Sequence, residues 1–203
     1  MNAYANVIIP HNCSSFHFPA AKHLETLGKA LRLLANKYLA MDVTELVRFN
    51  HAARRTYLQT LGKLPWEEVI KSRGASFDSM RDIFVHLTLV ELRMVHYMIP
   101  GRLGDWVERP FEQFRDMEAI QHLVDEVEDK TEDYLKKLTP DELNREVPMP
   151  WRKTPPNKAN VESILIQVIT EDLYHCGELI ALLWQMGAEG TYLPYFQYLA
   201  QRG

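Results

Sequence analysis

The sequence predicts an all-α protein: a four-helix bundle with an extra helix at its amino end. Three observations lead there. Four long stretches after residue 41 repeat apolar residues at helical spacing. No stretch alternates well enough for a strand of a sheet. A long irregular crossover also separates the second of these stretches from the third, a connection that bundles use.

Residues 1–17 read as irregular, broken by Pro10, Asn12, Ser14 and Ser15. From Pro19, Leu24, Leu27, Leu31, Leu34 and Tyr38 form one helical stripe. A fresh helix starts at Asp42, spaced from Glu45 as a capping box, and stops at Gly62. After a linker with Pro65 and Gly74, a second helix begins with Ser76 or Asp78 as its cap and turns Ile83, Leu87, Val90 and Met94 inward. Residues 99–115 are the crossover. A third helix runs from Asp116 to about Leu138 on Ile120, Val124, Val127 and Tyr134. In "TPDEL" Thr139 caps, Pro140 takes the first position and Glu142 closes a one-turn helix. The proline-rich "NREVPMPWRKTPPNKA" holds at most a short hairpin. Asn160 caps the last long helix, which reaches about Met186. The domain reading is an extension over 1–41 and a bundle over 42–203.

Composition sets the bounds. A chain of 203 residues is long enough for one sizeable core. A net charge of −4 argues against a nucleic-acid partner or an anionic membrane surface, since both select a concentrated basic face. No apolar run approaches a bilayer span, and "MNAYANVIIPHNCSSFHF" lacks the basic start of a secretory signal. Cys13 and Cys176 give neither a disulfide framework nor metal-type spacing. The expectation is a cytoplasmic protein with free thiols.

The chemistry sits in "EDLYHCGELIALLWQMG", residues 171–187. At about 100° per residue, His175 lies about 40° from Glu171, one turn along the same face. Ile164, Val168, Leu179, Leu182 and Met186 fall in the same sector, so Glu171 is placed on the core stripe. A buried carboxylate neutralises, pairs or binds a metal. Two ligands at i and i+4 need a third from another helix. His86, at the edge of the second helix's apolar stripe, is the candidate. His86, Glu171 and His175 would make a two-histidine, one-carboxylate site with positions open for water or substrate. Spacing alone does not choose between that site and a metal-free pair of Glu171 with His175.

Other chemistries lack their motifs: no HExxH, no G-x-S-x-G, no phosphate loop, no GxGxxG. Cys176 points about 100° away from His175 and reads as packing beside Leu165 and Leu183. His51, His96 and His122 read as surface residues, Glu91 as a pairing residue, and Tyr192, Tyr195, Phe196 and Tyr198 as packing.

"ASFDSMRDIFVHLTLVE" resembles the second-helix signature of the DinB/YfiT-like metalloenzyme family, and "VITEDLYHCGELIALLWQMG" its last-helix signature. "LKKLTPDEL" and "YFQYLAQR" also fit, so the resemblance spans about residues 42–203. It implies a four-helix bundle, often dimeric, with metal ligands falling on His86 and His175. Glu171 stands where the family has a histidine, Cys176 where it has arginine and Glu178 where it has glutamine. The implied cofactor is a divalent ion, zinc or nickel first and iron or manganese next. Relatives in that family include thiol-dependent transferases and isomerases; the activity expected here is metal-assisted transfer or hydrolysis on a small molecule, by a homodimer. The competing expectation is a non-catalytic binding or dimerisation module whose metal site is lost.

Overall fold

The computed structural model describes residues 42–188 and 192–202. The chain divides into two units, Met1–Met41 and Asp42–Gly203, and the described residues belong to the second. The expected helix from Pro19, and Cys13, lie outside them.

Helix α1 spans Val43–Leu61. Asp42 caps it by accepting from the Thr44 amide at 2.9 Å. The expected reciprocal contact from Glu45 is absent, because the Glu45 carboxylate pairs with Arg202 instead. Within the Pro65–Gly74 linker lies the short α2, Trp66–Val69. Helix α3, Met80–Arg93, is capped by Ser79, whose hydroxyl accepts from the Asp82 amide at 3.2 Å. Neither Ser76 nor Asp78 caps it. Ser76 is engaged with Glu178 of the last long helix, a contact no local pattern announces.

A π-helical turn, Met94–Met98, continues α3, and the crossover holds two short 3-10 turns. Helix α4, Met117–Leu135, starts from Asp116, which accepts from the Ala119 amide at 2.8 Å; it stops short of the expected Leu138. Thr139 caps α5, Pro140–Asn144, as its motif requires. The proline-rich stretch forms a two-stranded antiparallel ribbon, β1 (Glu146–Pro148) and β2 (Lys158–Asn160), with Val147 opposite Ala159. Asn160 then caps α6, Val161–Gln185, through the Ser163 amide at 2.9 Å. Helix α7 is Tyr195–Ala200.

The fold is all-α apart from that ribbon. Each long helix packs on two others: α1 and α3 both lie against α6 and α4. Ile83, Phe84, Leu87 and Leu92 of α3 meet Ile120, Val124 and Val127 of α4 and Leu179 and Leu183 of α6 in a closed interior. Each such side chain contributes about 1.5–3 kcal/mol by leaving water. Val90 and Met94, expected inward, are half-buried; Met94, in the π-helical turn, lines a cavity against the start of α6. No described helix is long and apolar enough to cross a membrane.

Candidate metal centre

Helices α3 and α6 run antiparallel, so the amino-terminal half of α3 faces the carboxyl-terminal half of α6. That register brings His86 beside His175, with ring centroids 4.9 Å apart and the rings nearly perpendicular. Glu171, one turn before His175, places its carboxylate 3.6 Å from His175 Nε2. One ligand atom from each of His86, Glu171 and His175 lies within 4.8 Å of the others. The residues predicted from spacing are thus brought together, with His86 supplied from the other helix.

Phe77 walls the site. Its ring lies 4.3 Å from the His86 ring and 5.7 Å from that of His175, and Phe111 packs edge-on against it. Burial on this side, with the neighbouring His175, lowers the pKa of His86, keeping its imidazole neutral and its lone pair free. A neutral imidazole is the form that ligates.

The structure adds a residue that spacing left out. Glu178 Oε2 lies 2.7 Å from His175 Nδ1 and accepts from the Ser76 hydroxyl at 2.6 Å, while Oε1 accepts from the Ser76 amide at 3.1 Å. Burial opposes ionisation of Glu178, but the bonds from Ser76 and His175 outweigh it and hold the carboxyl below the usual range. A carboxylate at Nδ1 places the His175 proton there and leaves Nε2 as the acceptor facing Glu171. The i, i+3 spacing of His175 and Glu178 was the available signal. What it lacked was Ser76, about a hundred residues earlier in the chain.

The buried carboxylate of α6 is not Glu171. Glu171 is about one-third exposed and accepts from Gln167 Nε2 at 2.8 Å. Its neighbour Asp172 is the one enclosed, 2% exposed at the middle of the stripe formed by Leu165, Val168, Cys176, Leu179 and Leu183. Arg54 of α1, fully buried, donates from Nη2 to Asp172 and to Glu91 of α3, each at 2.6 Å. His51 Nε2 lies 2.8 Å from the other Glu91 oxygen. Burial favours the neutral form of Glu91, yet Arg54 and His51 outweigh it and hold the carboxyl far below the carboxylate range. Burial pushes Asp172 up, against the pull of Arg54. This network compensates the interior charge without a metal.

The remaining expectations divide. Glu91 pairs, as expected. His51 is buried, not a surface residue, because Glu91 needs its second partner there. His96 is half-buried, its Nε2 3.1 Å from the Thr131 hydroxyl. His122 is exposed. Cys176 is buried in the core, and burial pushes its thiol well up, so it packs. Tyr198 packs against Phe49, whereas Phe196 and Tyr192 stand exposed.

A helical fold that gathers two imidazoles and one carboxylate between packed helices defines the class of candidate metal-binding helical proteins. Two of the three candidate positions, Glu171 and His175, lie one turn apart on a single helix. The chain belongs to the DinB family, which matches residues 36–203. No curated protein matches the chain.

Proposed function

We propose that this chain is a four-helix-bundle, divalent-metal-dependent enzyme acting on a small molecule by metal-assisted transfer, with a thiol as one acceptor or donor, or by hydrolysis. The observation that carries this reading is the convergence of His86, Glu171 and His175 within 4.8 Å. The donor set fits a divalent ion: two imidazoles suit zinc and nickel, and the carboxylate offsets part of the charge and admits iron or manganese. When bound, the ion lowers the pKa of a coordinated water or thiol toward neutrality. The protein's part is orientation. Glu178 and Ser76 fix the His175 ring, Gln167 steadies the Glu171 carboxylate, and Phe77 keeps water from one side of His86.

The competing reading, a non-catalytic bundle, is favoured by one feature. Glu171 accepts from Gln167 and His175 bonds to Glu178, so these groups are partnered without an ion. Metal content of tag-free protein after incubation with zinc, nickel or manganese separates the two. One equivalent retained through gel filtration, and lost in His86→Ala, supports the enzyme. No retained metal leaves the binding module.

The assembly proposed is a homodimer. The outer face of α6 supports it: Ile166, Leu173, Tyr174 and Trp184 are exposed around Gly177 and Ala181, and no charged residue interrupts them.

A further inference from the structure

We infer that the cavity between the end of α3 and the start of α6 binds the substrate, and that the substrate is a small organic anion with an apolar body. This rests on the metal reading above and assigns the substrate class for the same site.

The cavity encloses about 410 Å³, within the usual range for small-molecule sites. Its walls are thioether, indole and alkyl: Met94 and Met98 after α3, Met149 and Trp151 from the β1–β2 connection, and Ile164 from α6. Methionine sulfur against an aromatic ring is a favourable contact, and flexible thioethers adapt to an irregular apolar ligand. Trp151 is 54% exposed and has no ring partner among the described residues, so an aromatic surface is open at this cavity.

Two further observations set the orientation and the charge. Gln167 lines the cavity and also donates to the Glu171 carboxylate at 2.8 Å, so it is a wall common to the cavity and the metal centre. Met94 follows His86 by about 12 Å along α3, which sets the distance from reacting end to cavity floor. Arg152 is the one charged residue in the lining. Arg48, Arg54, Arg55, Arg73, Arg109 and Arg145 are each bonded to a carboxylate, whereas the exposed Arg152, like Arg102 and Arg115, has no carboxylate partner among the described residues, and of these three only Arg152 lines the cavity. A lone guanidinium at an apolar cavity with no acidic wall selects an anion, because charge-assisted bonds to carboxylate or sulfonate are strong and a cation meets no acceptor of opposite charge.

The probe is 8-anilino-1-naphthalenesulfonate, two aromatic groups carrying one anion, titrated into the full chain by calorimetry with and without zinc. The uncharged N-phenyl-1-naphthylamine serves as its counterpart. Expected is saturable one-site binding of the sulfonate, about 10-fold tighter than the neutral amine. Arg152→Gln should weaken the sulfonate about 10-fold and leave the amine unchanged. Ser163→Trp, an exposed position on the cavity rim, should block both probes. Zinc uptake is measured on every variant and should be unchanged, since neither residue is a ligand. Failure of wild type to take up zinc removes the metal reading, while the probe titrations still decide the cavity. The inference is overturned by absent saturable binding, by sulfonate binding indifferent to both substitutions (a probe on the outer face of α6), or by equal affinity for the neutral amine.

Discussion

The Glu178 carboxylate sits 2.7 Å from His175 Nδ1 and is itself held by Ser76. A ring with one nitrogen so engaged presents the other to the site in a fixed tautomer and orientation. Glu178→Ala should therefore weaken zinc binding by about 10–100-fold, with helicity unchanged. It should also shift the His175 proton away from Nδ1, as read by long-range proton–nitrogen NMR without any metal. Glu178→Gln keeps one acceptor oxygen and should fall between. A tautomer unchanged in Glu178→Ala would remove the positioning role.

The interior charge network makes a prediction about acid. Arg54 bonds Glu91 at 2.6 Å where neither is exposed. Glu91 has its pKa depressed in the fold, so its stabilisation is full above its unfolded value of 4.5 and is lost as pH falls below it. Glu91→Gln should cost about 3–5 kcal/mol at pH 7 by breaking a buried pair. The gap to wild type should narrow steadily below pH 4.5, because the unfolded chain takes up the proton there while the native carboxylate, held by Arg54 and His51, stays ionised. Urea unfolding of both proteins between pH 3 and 7 measures it, and a gap independent of pH would contradict the assignment.

For assembly, Leu173 and Trp184 are exposed on α6, so replacing them spares the core. The double variant Leu173→Lys, Trp184→Lys should raise the dimer dissociation constant by about 30-fold or more, the loss expected of central aromatic and apolar anchors. Light scattering at micromolar concentration should give a dimer for wild type and a monomer for the variant. A wild type that is monomeric throughout would refute the pairing.

The helices were legible where the cap and the stripe agreed, as at Asn160 and Asp116. The convergence of His86, Glu171 and His175 was legible because Glu171 and His175 share a turn and His86 borders an apolar stripe. The interior was not. An angular count placed Glu171 in the core, yet Asp172, one residue on, occupies its centre. Its counter-ion Arg54 lies 118 residues away, a tertiary partner that no local periodicity encodes. His51 was missed for the same reason: its burial is decided by Glu91 across the fold. Ser79 displaced the expected caps because Ser76 was already committed to Glu178.

The central claim, that His86, Glu171 and His175 hold a divalent ion, is tested most directly by melting temperature with chelator and with zinc, nickel or manganese. Wild type, Glu171→Gln and Glu171→His are compared. An ion that binds only the folded chain adds RT ln(1 + [L]/Kd), about 2.7 kcal/mol at a hundredfold excess over Kd. For a domain of this size that is a rise of several degrees. Wild type should gain that rise, Glu171→Gln should lose most of it, and Glu171→His should regain it with zinc and nickel more than with manganese. A wild type whose melting is the same with chelator and with every metal, and a Glu171→Gln variant that melts no lower, would contradict the claim.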